Sequence, residues 1–186
     1  MKRIIDILIS VLLIILTILP MMIIAITIKI SSKGPIIYWS KRVGRNNKIF
    51  WMPKFRSMKF DTEQVATHLL KNPNDQITKI GRFIRKYSLD ELPQLVSILI
   101  GDMSIVGPRP ALFNQFDLID LRTSFEIQKL RPGLTGWAQI NGRDNLSIEE
   151  KVNFDKFYLD EYSIWLDIKI IFLTFFNAVN HKNVSY

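Results

Sequence analysis

Cysteine is absent from this 186-residue sequence, and the only imidazoles are two isolated histidines, His68 and His181. The first absence removes disulfides, cysteine-zinc sites and thiol catalysis. The second leaves no material for a histidine-based triad or a multi-histidine metal centre. No Walker A run and no dinucleotide fingerprint occurs, so the ordinary nucleotide folds are not signalled. Internal repeats and low-complexity tracts are missing too. Acidic residues are in the minority: 17 Asp and Glu face 25 Lys and Arg, for a formal charge of +8. That balance implies anionic partners, whether nucleic acid, a membrane surface or phosphorylated substrates. The nucleic-acid reading lacks a recognisable DNA- or RNA-binding motif. An apolar content of 48% leans toward the membrane.

Ile4 to Ile30 is almost wholly apolar, broken only by Asp6, Ser10, Thr17, Thr27 and Lys29. As a straight helix it reaches roughly 40 Å, enough to cross a bilayer. A cleaved signal peptide fits poorly, because the apolar stretch is too long and no small-residue cleavage site follows. An ordinary span fits poorly as well. Pro20 removes the bond to the Leu16 carbonyl and predicts a kink. Basic residues lie at both ends, Lys2 and Arg3 before and Lys29, Lys33, Lys41, Arg42, Arg45 and Lys48 after, where a span shows a one-sided excess. A re-entrant helix, bent at Pro20 and returning to the same face, accommodates both flanks. The Thr17 hydroxyl is then the nearest partner for a carbonyl freed at the bend.

Ser31-Ser32-Lys33-Gly34-Pro35 is a breaker cluster and divides the chain into a membrane helix, 1–30, and a second domain, 31–186. Ile36–Lys41 and Lys48–Phe55, around Val43-Gly44-Arg45-Asn46-Asn47, read as a β-hairpin. Helical patterns follow at about 62–70, 76–87, 91–99, 111–128 and 147–160, the last opened by the capping box Ser147-x-x-Glu150. The expected fold class is therefore mainly α with a small β-hairpin (α+β). Residues 76–87 pair an apolar stripe (Ile77, Ile80, Phe83, Ile84, Tyr87) with a basic face (Lys79, Arg82, Arg85, Lys86). The pattern suits an anionic bilayer surface, but taken alone this stretch reads first as an ordinary surface helix. "SIWLDIKIIFLTFFNAVN" (163–180) suits either an interfacial helix or packing onto the domain core.

Within "SLDELPQL" (88–95), Asp90 and Glu91 stand side by side before an apolar run. Ser88-x-x-Glu91 fits a capping box, but Pro93 would then interrupt the helix. A start at Asp90 places Pro93 in the first turn, where its missing N–H costs little. Three stretches concentrate Gly, Pro and Arg: "KFRSM" (54–58), "GDMSIVGPRP" (101–110) and "RPGLTGWAQINGR" (131–143), with Arg109 between two prolines, Arg131 before Pro132 and Arg143 after Asn141-Gly142. Rigid loops with guanidinium forks match phosphate oxygens. Together with the carboxylate pair they predict a diphosphate-handling site, although Arg131 could equally pin its own loop.

These motifs, in the order "KRIIDILIS", "KFRSM", "IRKYSLDELPQL", "GDMSIVGPRP", "RPGLTGWAQINGR" and "FDKFYLDEYSIWLDIKI", resemble the bacterial sugar transferases, the small monotopic phosphoglycosyl transferases that initiate capsule, O-antigen or glycoprotein glycans. The resemblance implies transfer of sugar-1-phosphate from a UDP-sugar to a polyprenol phosphate, undecaprenyl phosphate in bacteria, with release of UMP. It implies Asp90 as a nucleophile that forms a phosphosugar–enzyme intermediate, with Glu91 and Mg²⁺ supporting it. It places Lys54, Arg85, Arg109 and Arg143 on phosphate or the intermediate, and puts the enzyme on the cytoplasmic face of the inner membrane. "FRSMKFDTEQVATHLL" looks most like members that handle an N-acetylated 6-deoxyhexosamine. A homodimer is compatible with all of this. The family's bend is usually Ser-Pro; Leu19-Pro20 keeps the proline and lacks the serine. Two other readings stand beside this one: a non-catalytic basic membrane-associated binding protein, and a structural spanning protein.

Overall fold

A computed structural model describes residues 1–60, 62, 73–142 and 145–179. The helix expected at about 62–70, His68, His181 and Arg143 lie outside these residues or largely so. Helix α1 runs from Lys2 to Ser31 and carries Pro20 in its interior without losing helical assignment. Its polarity is inverted relative to a helix in water. Asp6 and Ser10, one turn apart, are buried against the rest of the chain, while Ile4, Leu8, Leu12, Ile15, Leu19, Met22 and Ile26 are exposed. It is long and apolar enough to cross a membrane, by length and composition.

The expected hairpin forms as β1 (Ile37–Val43) and β2 (Ile49–Phe55), antiparallel, with Ile37 opposite Phe55 and Val43 opposite Ile49. Asn46 and Asn47 turn it with positive φ, a conformation Asn tolerates. Alternation sends Phe50 and Met52 inward and leaves Ile49 and Trp51 exposed. Lys54 shares the inward face. After a single turn, α2 (Pro73–Gln76), helix α3 (Lys79–Lys86) starts where the Thr78 hydroxyl accepts from the Gly81 N–H at 2.9 Å. That cap sets its start two to three residues later than the sequence pattern suggests. Helix α4 (Gln94–Ile100) begins just after Pro93 and stops at Gly101, whose φ of +102° suits the residue without a Cβ.

A second, parallel pair joins β3 (Ser104–Val106) to β4 (Gly133–Thr135). Both segments lie in stretches expected to be loops. Three-residue strands are too short to show alternation, so periodicity could not reveal them. The helix expected over 111–128 is shorter, α5 (Phe116–Ser124), because Leu112 bridges to Arg42 and its N–H is taken by the Gln115 side chain. A turn of 3₁₀ helix follows at Ile127–Lys129. One-turn α6 (Trp137–Ile140) precedes α7 (Ile148–Asp160), which opens with the expected reciprocal Ser147–Glu150 capping box. Helix α8 (Ile164–Val179) ends the described chain.

The main core gathers Phe50, Met52, Leu95, Ile98, Met103, Val106, Tyr158 and Ile170, with Ile9 and Leu13 of α1 packed against it. A second cluster sets Ile24 and Ile28 of α1 against Phe55 and Ile84. Helix α1 therefore meets the remainder of the chain along both halves. Its ends are also tied down. The Arg3 guanidinium donates to the Ile98 and Leu99 carbonyls, the last turn of α4, and Asp6 accepts from the Ser104 hydroxyl and the Ile105 N–H. At the other end, buried Arg56 donates to the Ser32 and Lys33 carbonyls. Helix α8 packs onto the domain core through fully buried Ile170, while Trp165, Phe172 and Phe175 are exposed.

Candidate active site

The carboxylate pair sits on a 3₁₀ turn, Leu89–Glu91, wedged between α3 and α4. Both expected starts for this helix need correcting. Ser88 has φ +54° and makes no side-chain cap, and α4 begins only after Pro93. The left-handed Ser88 reverses the chain, its N–H donating to the Arg85 carbonyl at 3.1 Å. The Glu91 N–H then returns to the Ser88 carbonyl at 3.1 Å. Pro93 fits because the first N–H groups of a helix have no intrahelical partner. The outcome for the acids is burial: Asp90 is 9% exposed and Glu91 7%. Side chains of this type are seldom buried so far unless paired.

Glu91 is paired twice through one oxygen. Its Oε1 accepts from Lys54 Nζ on β2 and from Arg109 Nη2 in the loop after β3, each at 3.0 Å. Three segments distant in sequence thus converge on one carboxylate. Burial pulls the Lys54 ammonium below its ordinary pKa, opposed by Glu91 and, more weakly, by Asp90. Arg109 and Arg42 push in the same direction as burial. Lys54, Arg42 and Arg109 against Asp90 and Glu91 leave a net positive site, suited to a more anionic ligand. Mg²⁺ takes oxygen ligands, commonly one or two carboxylates with substrate phosphates completing the shell. Asp90 and Glu91 offer that donor type as a pair, and no group of three or more His, Cys, Asp or Glu side chains that could hold a metal ion occurs among the described residues.

The sequence-derived residues separate as follows. Lys54, Asp90, Glu91 and Arg109 come together. Arg85 lies in the last turn of α3, four residues before the turn that holds the dyad, and is half-buried. Arg131 does not join Glu91: its Nε donates to the Gly101 carbonyl at 2.9 Å, the loop-pinning alternative. Arg143 lies outside the described residues. Thr17 is not the partner of the carbonyl freed by Pro20, since its hydroxyl donates to Leu13, one turn back, at 2.6 Å. Trp137 stacks on Phe157 with ring centroids 5.3 Å apart, a packing role.

Sequence reasoning missed Arg42 and Arg122 as site-building residues. Arg42 Nη1 donates to the Pro110 carbonyl at 3.0 Å and Arg122 Nη1 to the Arg109 carbonyl at 2.8 Å. Neither lies in a Gly/Pro-rich motif, so nothing local marks them.

The bacterial sugar transferase family model matches residues 1–181. The chain is 42% identical over 190 residues to UDP-glucose:undecaprenyl-phosphate glucose-1-phosphate transferase of Escherichia coli K12, covering 98% of this chain and 41% of that protein. It is 41% identical over 156 residues to undecaprenyl-phosphate galactose phosphotransferase of Salmonella typhimurium, covering 76% and 33%. It is 37% identical over 155 residues to the UDP-N-acetylgalactosamine-undecaprenyl-phosphate N-acetylgalactosaminephosphotransferase of Aeromonas hydrophila, covering 81% and 37%. The chain thus spans about two fifths or less of the length of these relatives. With a family match over residues 1–181 and 42% identity to a relative across 98% of its length, the chain belongs to the bacterial sugar transferases.

Proposed function

We propose that this chain transfers sugar-1-phosphate from a UDP-sugar to a polyprenol phosphate through a covalent intermediate on Asp90. The observation that carries the reading is the convergence of Lys54 and Arg109, from separate elements, on the Glu91 carboxylate beside Asp90. In the first half-reaction an Asp90 carboxylate oxygen attacks the phosphorus bonded to the sugar. The bond from that phosphorus to the bridging oxygen breaks, and UMP leaves with the electron pair. In the second, a phosphate oxygen of the polyprenol phosphate attacks the same phosphorus and the aspartate departs, giving a polyprenyl diphosphate sugar. A carboxylate nucleophile divides the transfer into two displacements and lets a soluble donor and a lipid acceptor use one site in turn.

Arg109 and Lys54 serve as fixed cations toward the diphosphate, and their present bonds to Glu91 keep them oriented before substrate arrives. Asp90 and Glu91 would hold Mg²⁺, which when bound neutralises the diphosphate and the leaving phosphate. The three relatives' names carry glucose, galactose and N-acetylgalactosamine, so the proposed donor class is a UDP-hexose or UDP-N-acetylhexosamine, with the 6-deoxy form among the candidates.

The membrane arrangement belongs to the same proposal. Residues 1–30 form the membrane segment and 31–186 the catalytic domain, on the cytoplasmic face of a bacterial plasma membrane. Helix α1 is held to the remainder near both ends, by Arg3 and Asp6 at one and at Ser32 and Lys33 by Arg56 at the other. Those ties support a helix that enters and leaves on one side.

The test is UMP release with Mg²⁺ and a panel of UDP-glucose, UDP-galactose, UDP-N-acetylgalactosamine and a 6-deoxy N-acetylhexosamine donor, before any lipid is added. One stoichiometric burst with a phosphosugar adduct on Asp90 is expected. Asp90→Asn should abolish the adduct and lower turnover by about a thousandfold or more. Full turnover in that variant overturns the nucleophile assignment, and no UMP from any donor overturns the function.

A further inference from the structure

The loop that presents Arg109 is held in an unusual way. Pro108 and Pro110 flank it, so two of its three residues have no N–H to offer a neighbouring strand or helix. Its carbonyls do the anchoring instead, four in succession. The Pro108 carbonyl accepts from the Gly133 N–H at 2.8 Å, and the Ala111 carbonyl from the Val43 N–H at 3.0 Å. Between them, backbone donors give way to side chains: Arg122 Nη1 reaches the Arg109 carbonyl and Arg42 Nη1 the Pro110 carbonyl.

Arg122 is the more committed of the two. Its Nε and Nη2 both donate to Asp155 Oδ2 on α7, at 2.9 and 2.6 Å. The pair is deeply buried, its side chains 11% and 2% exposed. A buried charge pair seldom stabilises a fold more than apolar residues of the same volume would. What apolar residues could not supply is a third N–H of fixed direction, and a guanidinium does so because its donors are coplanar and rigid. The chain of contacts then runs from Asp155 through Arg122 to the Arg109 main chain, and from the Arg109 side chain to Glu91.

We propose that Arg122, oriented by Asp155 and assisted by Arg42, is a positioning residue for the transfer, acting through the Arg109 backbone to aim that guanidinium at the dyad. The inference rests on the proposed transferase reading. Arg122→Lys keeps the charge but cannot hold the Asp155 carboxylate and the Arg109 carbonyl with the same fixed fork.

The test is a double-mutant cycle on UMP release in lipid vesicles, with Arg109→Ala, Arg122→Lys and the two combined. Arg122→Lys alone should lower kcat/KM about 10- to 100-fold, the range a misplacement near 1 Å produces. In the Arg109→Ala background it should cost little more, because the group it aims is gone. Additive losses overturn the proposal, since a purely structural contribution does not depend on the Arg109 side chain. Amide exchange reads the loop without any turnover: Gly133 and Val43 should exchange about tenfold faster in Arg122→Lys, with α1 and α4 unchanged. Unchanged exchange at both amides overturns the proposal whatever the activity. Absence of UMP release from the unmodified protein overturns the transferase reading instead, and the exchange result still decides whether Arg122 holds the loop. Should Arg122→Lys not fold, Arg42→Lys carries both measurements through the neighbouring carbonyl.

Discussion

Lys54 shows how one residue acquires its chemistry from surroundings that its own segment does not reveal. It sits on the inward face of β2 with Phe50 and Met52, where strand alternation would ordinarily place an apolar side chain. Burial is the larger influence on its ammonium and holds its pKa below the ordinary 10.5, with Glu91 resisting. The consequence for stability follows from proton counting. Between the folded value and 10.5, the unfolded chain keeps a proton that the folded chain has lost, so stability rises with pH. Below the folded value both states are protonated and the burial penalty is carried in full. Lys54→Met removes the titration. Denaturant unfolding in detergent should show the variant's stability relative to the unmodified protein falling as pH climbs toward 10.5. A pH-independent difference would show that Lys54 titrates normally. The variant should nonetheless lose UMP release, because one of the two cations paired with Glu91 is then missing from the proposed diphosphate site.

The element that does most for the site is the short parallel pair, since β3 leads directly into Gly107-Pro108-Arg109. Its closeness depends on Gly133. A Cβ there would stand 2.1 Å from the Gly107 nitrogen and 2.3 Å from the Thr135 carbonyl oxygen, both backbone atoms that cannot swing aside. Gly133→Ala should therefore destabilise by about 1–3 kcal/mol or more, measured by denaturant unfolding, and displace the Arg109 loop with a matching loss of kcat/KM. An Ala variant with unchanged stability would mean that the strands separate freely. Helix α7 is the contrasting case, legible in advance because Ser147 and Glu150 satisfy each other's backbone N–H groups within one turn. Local rules worked where the partners were local. They failed at α4, where Pro93 and a left-handed Ser88 split one expected helix into a 3₁₀ turn and a later α-helix.

At the scale of the molecule, the arrangement of α1 bears on the proposed membrane setting of the site. Its buried stripe joins Asp6 and Ser10 to Ile24 and Ile28, and its outward surface is apolar. Water would reward the opposite arrangement, whereas hydrocarbon accepts this one. Exposed Trp165, Phe172 and Phe175 on α8 add aromatic surface of the kind that settles at a headgroup boundary. The proposed same-side topology predicts that single cysteines placed at Lys2 and at Lys33, in a chain with none of its own, react alike with a membrane-impermeant thiol reagent in sealed vesicles. Reaction from opposite faces would favour a simple span and remove the return at Pro20.

From the sequence alone follow the apolar first helix, the hairpin, the capped α7 and the residue types of the proposed diphosphate site. Each follows from composition or from contacts within a few residues, which periodicity and spacing record directly. Only the tertiary structure decided that Lys54 and Arg109 share one oxygen of Glu91, that Arg131 turns away to Gly101, and that Arg42 and Arg122 grip the Arg109 loop. Those bonds join residues up to 68 positions apart. Their geometry is set by how strands and helices pack around a common core, and no local pattern in the chain encodes it.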